Sequence, residues 1–406
     1  MSKTSVAVVR CADYHPKTVK TAVDRLLRYI GGFAGLVEPN DSVFLKINHL
    51  GNHPIERAIN THPSVVSSFA GSLKAVTGNI TVGDSLDSAD SGAFETTGFL
   101  AMSRENGLRL VNLWGLDYVS AGVPDPHALN AVPIPALVAE AGLVVSFPKL
   151  KTHLLTLVTG AVKNNYGYLP LQVRLRLHRE HIAPTDFAAT VVDVYAASKP
   201  GLTVMDGVEA LEGNGPSRGG QPRHLGVLIG GRDGVAVDAV ASAIIGVEPM
   251  SVPTTRMAHE RGLGVGDLAE IEVLGESLKS VRCGDFAKPA GQSRLLSLVD
   301  RLPRRVVGAA TRVVEMTRPW PHVVPERCTG CGLCASHCPQ QTIDMVDGKA
   351  HVRRERCISC FCCVEFCPSD AIRPTRSPAA LLLTAGVRAL SASGRALGHL
   401  FRRRAP

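Results

Sequence analysis

The chain is 406 residues long, room for two or three domains, and its 45 % hydrophobic and 20 % charged content is that of a folded globular protein. Its net charge of +8 is concentrated in residues 282–406, where 20 Lys and Arg face nine Asp and Glu. No basic-then-apolar leader opens the sequence and no run reaches the ~18 apolar residues of a membrane span, so a cytoplasmic protein is expected.

The first 280 residues alternate short apolar runs with helical patterns. Strands are predicted over residues 5–10, 42–47, 79–83, 108–113, 142–147, 202–206 and 224–229, and helices over 17–30, 63–76, 184–197 and 234–245. Runs such as Val43-Phe44-Leu45 and Leu143-Val144-Val145 are apolar throughout, as strands covered on both faces are. The expected class is α/β: a three-layer, mostly parallel sheet over residues 1–280. A basic amphipathic connector follows over 281–322. Next comes a small α+β two-cluster ferredoxin-like domain over 323–375, and a C-terminal amphipathic helix over 376–406.

Ligands of such sheets bind beyond the carboxyl ends of the strands, which draws attention to the polar residues there. They are Lys46, Asn48 and His49; Asp84; Lys149, Lys151 and His153; Lys163 and Asn164; Asp206 and Glu212. Lysines converging on one rim would neutralise a carboxylate or phosphate. Lys149, His153, Lys163 and His178 are the candidates for stabilising developing negative charge or donating protons. Lys46, Asn48, Asp84, Lys151, Asn164, Asp206 and Glu212 are the candidates for holding the substrate. Taken singly, each lysine reads first as an ordinary solvated loop residue, and Asp238 reads as an acid at a helix N-terminus. No G-x-G-x-x-G follows a strand, so no NAD(P) site is visible, and no nucleic-acid module is seen. A motif-free flavin or a divalent metal at Asp84 and Asp206 stays open.

Residues 328–368 carry Cys-x-x-Cys-x-x-Cys-x-x-x-Cys-Pro twice, 29 residues apart. This spacing is that of two 4Fe-4S clusters, with the fourth cysteine of each run crossing to the other cluster; a third Cys at x-x and a fourth followed by Pro fit zinc poorly. The expected sets are Cys328, Cys331, Cys334 and Cys367 for cluster one, and Cys357, Cys360, Cys363 and Cys338 for cluster two. Of the eleven cysteines, Cys11, Cys283 and Cys362 remain, which suits a reducing compartment. Cys362, between two ligands, reads as a buried small residue, a substrate contact or a substitute ligand.

Lys46-x-Asn48, Thr61-His62-Pro63, Gly83-Asp84-Ser85, Pro148-Lys149-x-Lys151-x-His153, Lys163-Asn164, Asp206-Gly207, Glu212-Gly213-x-Gly215-Pro216 and Asp238 together resemble the domain-of-unknown-function 362 family over about residues 5–275. The resemblance continues into Cys360-Phe361-Cys362-Cys363. It implies an iron–sulfur oxidoreductase.

Three functions fit these residues. The first is a reductase that draws electrons from a ferredoxin- or flavodoxin-type donor and passes them through both clusters. Its substrate would be an anionic molecule with an activated C=C or other electron-poor bond. The second is a non-catalytic electron-transfer adaptor for a partner enzyme. The third is a non-redox, metal-dependent enzyme with structural clusters. In the tail, Leu383, Val387, Leu390, Gly394, Leu397 and Phe401 recur at helical spacing beside Arg388, Arg395 and Arg402. That stripe suits packing on the protein itself, an anionic membrane surface or a second chain; the oligomeric state is left open.

Overall fold

Alternate residues of the first strand, β1 (Thr4–Arg10), enter two different cores. Ala7 and Val9 pack with the helices Pro16–Tyr29 and Pro63–Leu73. Val6 and Val8 pack with the helix Gly234–Ile244 on the opposite face. A sheet covered by helices on both sides is the three-layer α/β arrangement expected from the apolar strands. The computed structural model describes residues 3–86, 89, 91–181, 183–289 and 319–375. The chain divides into two units, Met1–Pro289 and Ala290–Pro406. The expected C-terminal helix and most of the basic connector lie outside the described residues.

The first unit holds a ten-stranded sheet. Its strands are β1, β2 (Val43–Ile47), β3 (Ile80–Asp84), β4 (Arg109–Asn112), β7 (Leu143–Phe147), β8 (Lys149–His153), β9 (Leu157–Thr159), β10 (Leu202–Gly213), β11 (Gly220–Gly231) and β12 (Ile271–Gly275). The spatial order is β12-β1-β11-β10-β7-β2-β3-β4, with β8 joined to β10 and β9 to β8. β5 (Tyr118–Gly122) and β6 (Ala131–Pro135) form a separate antiparallel hairpin. β11 is antiparallel to β1 and to β10, whereas β7, β2, β3 and β4 continue parallel to β10. The carboxyl ends of β1, β2, β3 and β7 therefore share one edge.

Local sequence accounts for these elements. The helix Pro16–Tyr29 starts with proline at its first turn, and Val19, Ala22, Val23, Leu26 and Leu27 recur at helical spacing and are buried. β10 and β11 are 12 residues each, about twice the length read from sequence. Their outer halves pair mainly with each other and with β8, and lack the uniform apolar run that marks the inner halves. Residues 149–153, expected as a loop, form β8, in which Lys149, Lys151 and His153 share one face. The end of the unit is tied back onto β10, where Gly213 N–H donates to Ala287 O at 2.8 Å.

In the second unit, β13 (Trp320–Val323) pairs with β16 (Ile372–Thr375), and β14 (Ile343–Val346) with β15 (Lys349–Val352), both antiparallel. Each cysteine run ends in a short helical turn, Leu333–Ser336 in the first and Cys362–Glu365 in the second.

Candidate functional site

The expected lysine rim is a buried layer. Lys46, Lys149, Lys151 and His153 are each no more than 1 % exposed, and Asp84 and Asp206 are buried with them. The reason is topological: after Pro148 the chain turns into β8 and pairs with β10, so side chains expected in a solvated loop are covered.

Two polar nests result. In the first, Lys46 leaves β2 on the face opposite Leu45 and Ile47, and its Nζ lies 2.7 Å from Asp84 Oδ1 at the end of β3. Asp84 also accepts the backbone N–H of His49 at 2.7 Å and of Ser85 at 2.8 Å. Lys151 Nζ donates to Asn48 Oδ1 at 2.7 Å and to Ile59 O at 2.8 Å. Asn48 Nδ2 donates to Asn164 Oδ1 at 3.1 Å, and Asn164 Nδ2 to Ser146 Oγ at 2.9 Å. The chain of contacts links β2, β7, β8 and the turn Ala161–Asn164, which carries Lys163. Burial pulls the Lys46 ammonium down and pushes the Asp84 carboxyl up, each opposed by its partner.

In the second nest, Lys149 Nζ sits 2.8 Å from Asp206 Oδ2 and 2.8 Å from the Tyr14 hydroxyl. Tyr14 donates to Asp206 Oδ1 at 2.8 Å, and the backbone N–H of His62 donates to Oδ2 at 3.0 Å. The Tyr14 and His62 rings stack at 3.7 Å. Lys149 and Lys151 thus serve different nests although they share a strand face. Asp84 and Asp206 each face a lysine of their own instead of meeting as a carboxylate pair for one divalent ion.

The histidines are neutral bases here. His153 Nδ1 accepts the backbone N–H groups of Leu155 at 3.0 Å and Thr156 at 3.2 Å, which leaves the ring proton on Nε2. Burial, with Lys163, His178 and Lys151 nearby, holds its pKa well below the usual range. His178, on the helix Leu171–Glu180, donates from Nδ1 to Arg174 O at 2.7 Å and lies 4.4 Å from the Phe187 ring. Burial lowers it to about 4, with Lys163 and Arg174 adding to the effect. Proton donation from either ring therefore starts from neutral imidazole.

Glu212 is not brought into either nest by its described contact: its carboxylate accepts the Ala287 N–H at 2.9 Å. Asp238 does not cap its own helix. That helix, Gly234–Ile244, is capped by Asp233. Asp238, in its interior, accepts the N–H groups of Ala161 at 2.6 Å and Val162 at 3.0 Å and so fixes the turn bearing Lys163 and Asn164. Sequence reasoning gave no role to Tyr14, His62 or Arg174. Tyr14 follows β1, whose carboxyl end lies at the same edge, so the strand-end rule applied to β1 finds it.

In the second unit the eight cysteines fall into two groups. Cys328, Cys331, Cys334 and Cys367 line one hollow, together with Met345 and Ala350. Cys338, Cys357, Cys360 and Cys363 line another, together with Phe361 and Ile358.

Residues 43–243 match the model for a domain of unknown function (DUF362), and residues 321–368 match a 4Fe-4S dicluster domain. A thylakoid-associated protein of Synechocystis sp. is 31 % identical over 268 residues, 65 % of this chain and 81 % of that protein. The chain belongs to the DUF362 family. Among solved structures, the lactate racemase apoprotein of Thermoanaerobacterium thermosaccharolyticum is similar at TM-score 0.35 and 14 % identity, over 50 % of each chain. A Thermotoga maritima protein is similar at TM-score 0.33 and 11 % identity, over 54 % of this chain and 56 % of its own.

This DUF362 protein is thus an iron–sulfur protein, and its dicluster region fits the group. Backbone N–H groups aim at sulfurs in both hollows: Ala350 at Cys328 (3.5 Å) and Ala371 at Cys367 (3.2 Å), Thr342 at Cys338 (3.4 Å) and Ser359 at Cys357 (3.5 Å). Such donors stabilise the thiolate charge that a cluster requires. A bound 4Fe-4S cluster supplies one-electron transfer. Among the described residues no helix is long and apolar enough to cross a membrane.

Proposed function

We propose that the two sets of four cysteines hold one 4Fe-4S cluster each and that the protein reduces a small anionic organic molecule bound at the Lys46–Lys151–Asn164 layer. The observation that carries this reading is the gathering of cations at the carboxyl edge of the sheet. Lys163 and Lys151 act electrostatically on His153, Arg174 acts on Lys46, and Lys46 and Lys151 act on His49. Such a concentration of positive charge around neutral histidines suits a carboxylate or phosphate. Asn48 and Asn164 supply oriented amides, and His153 Nε2–H is a neutral donor for charge developing on a carbonyl oxygen.

Binding of fumarate and of inorganic phosphate, measured by calorimetry under anaerobic conditions, tests the site. Replacing Lys163 by Met should weaken the probe that binds by roughly tenfold, the effect of one charge-assisted contact, with the unfolding temperature nearly unchanged because Lys163 is partly exposed. Equal affinity in the variant contradicts the assignment.

A further inference from the structure

The two halves of the dicluster region are a 29-residue repeat, and the structure breaks their symmetry at one place. In the first half the third cysteine is preceded by Gly332 and Leu333; in the second, by Phe361 and Cys362. Gly332 and Phe361 both have left-handed backbones, with φ of 74° and 62°. Glycine adopts that conformation freely, whereas phenylalanine is strained there. The strained residue is buried and lines the hollow of Cys338, Cys357, Cys360 and Cys363.

The neighbours diverge in the same sense. Leu333 is 40 % exposed and its counterpart Cys362 only 3 %. Met345 and Val346 on β14 are 38 % and 53 % exposed, and their counterparts Pro374 and Thr375 are partly covered. Among the described residues of this unit, Leu333, Met345 and Val346 are the large hydrophobic side chains left exposed, and all belong to the first half. Met345 lines the hollow of Cys328, Cys331, Cys334 and Cys367, and Leu333 lies in sequence between Gly332 and Cys334, which line it too. Lys349 Nζ donates to Cys328 O at 2.6 Å, and the backbone of Gly348 closes on Gly330. Cys331 of this hollow is exposed.

We propose that the cluster held by Cys328, Cys331, Cys334 and Cys367 is the electron port, and that Leu333 and Met345 form the collar on which a one-electron carrier protein docks. The proposal rests on the iron–sulfur electron-transfer role and not on the identity of the substrate. A solvent-facing redox centre with an apolar collar is complementary to a carrier whose own cofactor edge is exposed. Redox encounters of this kind use small patches, so these two side chains are a sufficient centre. At the corresponding positions of the second half Phe361 and Cys362 are buried and leave no apolar collar, so the cluster there would exchange electrons through the port cluster. In the port step the carrier loses one electron and the cluster gains it. With flavodoxin hydroquinone as donor, the anionic hydroquinone becomes the neutral semiquinone and no proton moves.

The test uses the full chain with both clusters, flavodoxin as probe, and the variants Leu333→Glu and Thr375→Glu. Thr375, in the second half, lines neither hollow and serves as the control. Stopped-flow reduction by flavodoxin hydroquinone and calorimetric affinity for oxidised flavodoxin are measured, with EPR to show both clusters intact. Leu333→Glu should lower the rate and the affinity by about tenfold or more, as for a central interface residue, and leave reduction by methyl viologen radical unchanged. Thr375→Glu should change none of these. Slowing by Thr375→Glu alone, equal slowing by both, or no effect of Leu333→Glu overturns the proposal. If the port behaves as stated and no anion reoxidises the reduced clusters, the docking surface stands and the substrate reading fails.

Discussion

The Asp238 carboxylate occupies the space that a side chain on Gly160 would need: a Cβ built on Gly160 collides with both Asp238 oxygens. The carboxylate cannot give way without releasing the Ala161 and Val162 N–H groups. Gly160→Ala should therefore destabilise the first unit by about 2–4 kcal/mol, overpacking plus two weakened hydrogen bonds. Gly71→Ala, in an exposed helical position with nothing nearby, should stabilise it by ~0.5–1 kcal/mol. Thermal unfolding of both variants checks the contrast.

Burial raises Asp238 from its ordinary value of 3.8 to about 7. The folded form thus holds a proton that the unfolded form releases, and the carboxyl favours folding most below its unfolded value. That contribution is lost as pH rises from about 4 to about 7, at up to ~1.4 kcal/mol per pH unit. The difference in stability between wild type and Asp238→Asn, followed by denaturant unfolding, should fall over this window and level off above it. A flat difference contradicts the assignment.

The histidines act with the opposite sign. Burial holds His49 at about 3, and His53 and His62 at about 4, against an ordinary value of 6.5. Their contribution is complete above about 6.5 and is lost as pH falls toward the folded values, because the unfolded chain takes up the protons. Acid unfolding between pH 6.5 and 4, monitored by near-ultraviolet circular dichroism, should take up one proton fewer in His49→Gln.

Lys149 and Asp206 stabilise each other at 2.8 Å in a fully buried nest. Lys149→Met should cost about 3–5 kcal/mol, since it leaves a buried carboxylate without its cation. Lys149→Met with Asp206→Asn should recover part of that loss. A double-mutant cycle of unfolding free energies measures the coupling, and simple additivity would show the pair to be independent.

The parallel core was legible because Val43-Phe44-Leu45 and Leu143-Val144-Val145 leave no polar face, and burial on both sides follows from that alone. The eight cysteines were legible because their spacing is local. Lys149, Lys151 and His153 were noticed but placed in a loop. Their alternation with Leu150 and Thr152 resembles a solvated strand, and only pairing with the distant β10 buries them. Asp238 misled for a related reason: its partners, Ala161 and Val162, lie more than seventy residues away, and no local pattern announces such a cap. The collar of Leu333 and Met345 required the fold, since exposure of an apolar side chain is not written in its neighbours.

Reoxidation of the reduced clusters by an anionic substrate tests the central claim most directly. Anaerobic protein, reduced until each cluster holds one extra electron, is mixed with a panel of electron-poor carboxylates including fumarate, and the EPR signals are followed. Reduction of one activated C=C bond takes two electrons and two protons, so one substrate molecule should oxidise both clusters of one chain, and Lys163→Met should slow the reaction about tenfold. Clusters that stay reduced with every carboxylate, or that are reoxidised at the same rate in Lys163→Met, would contradict the account.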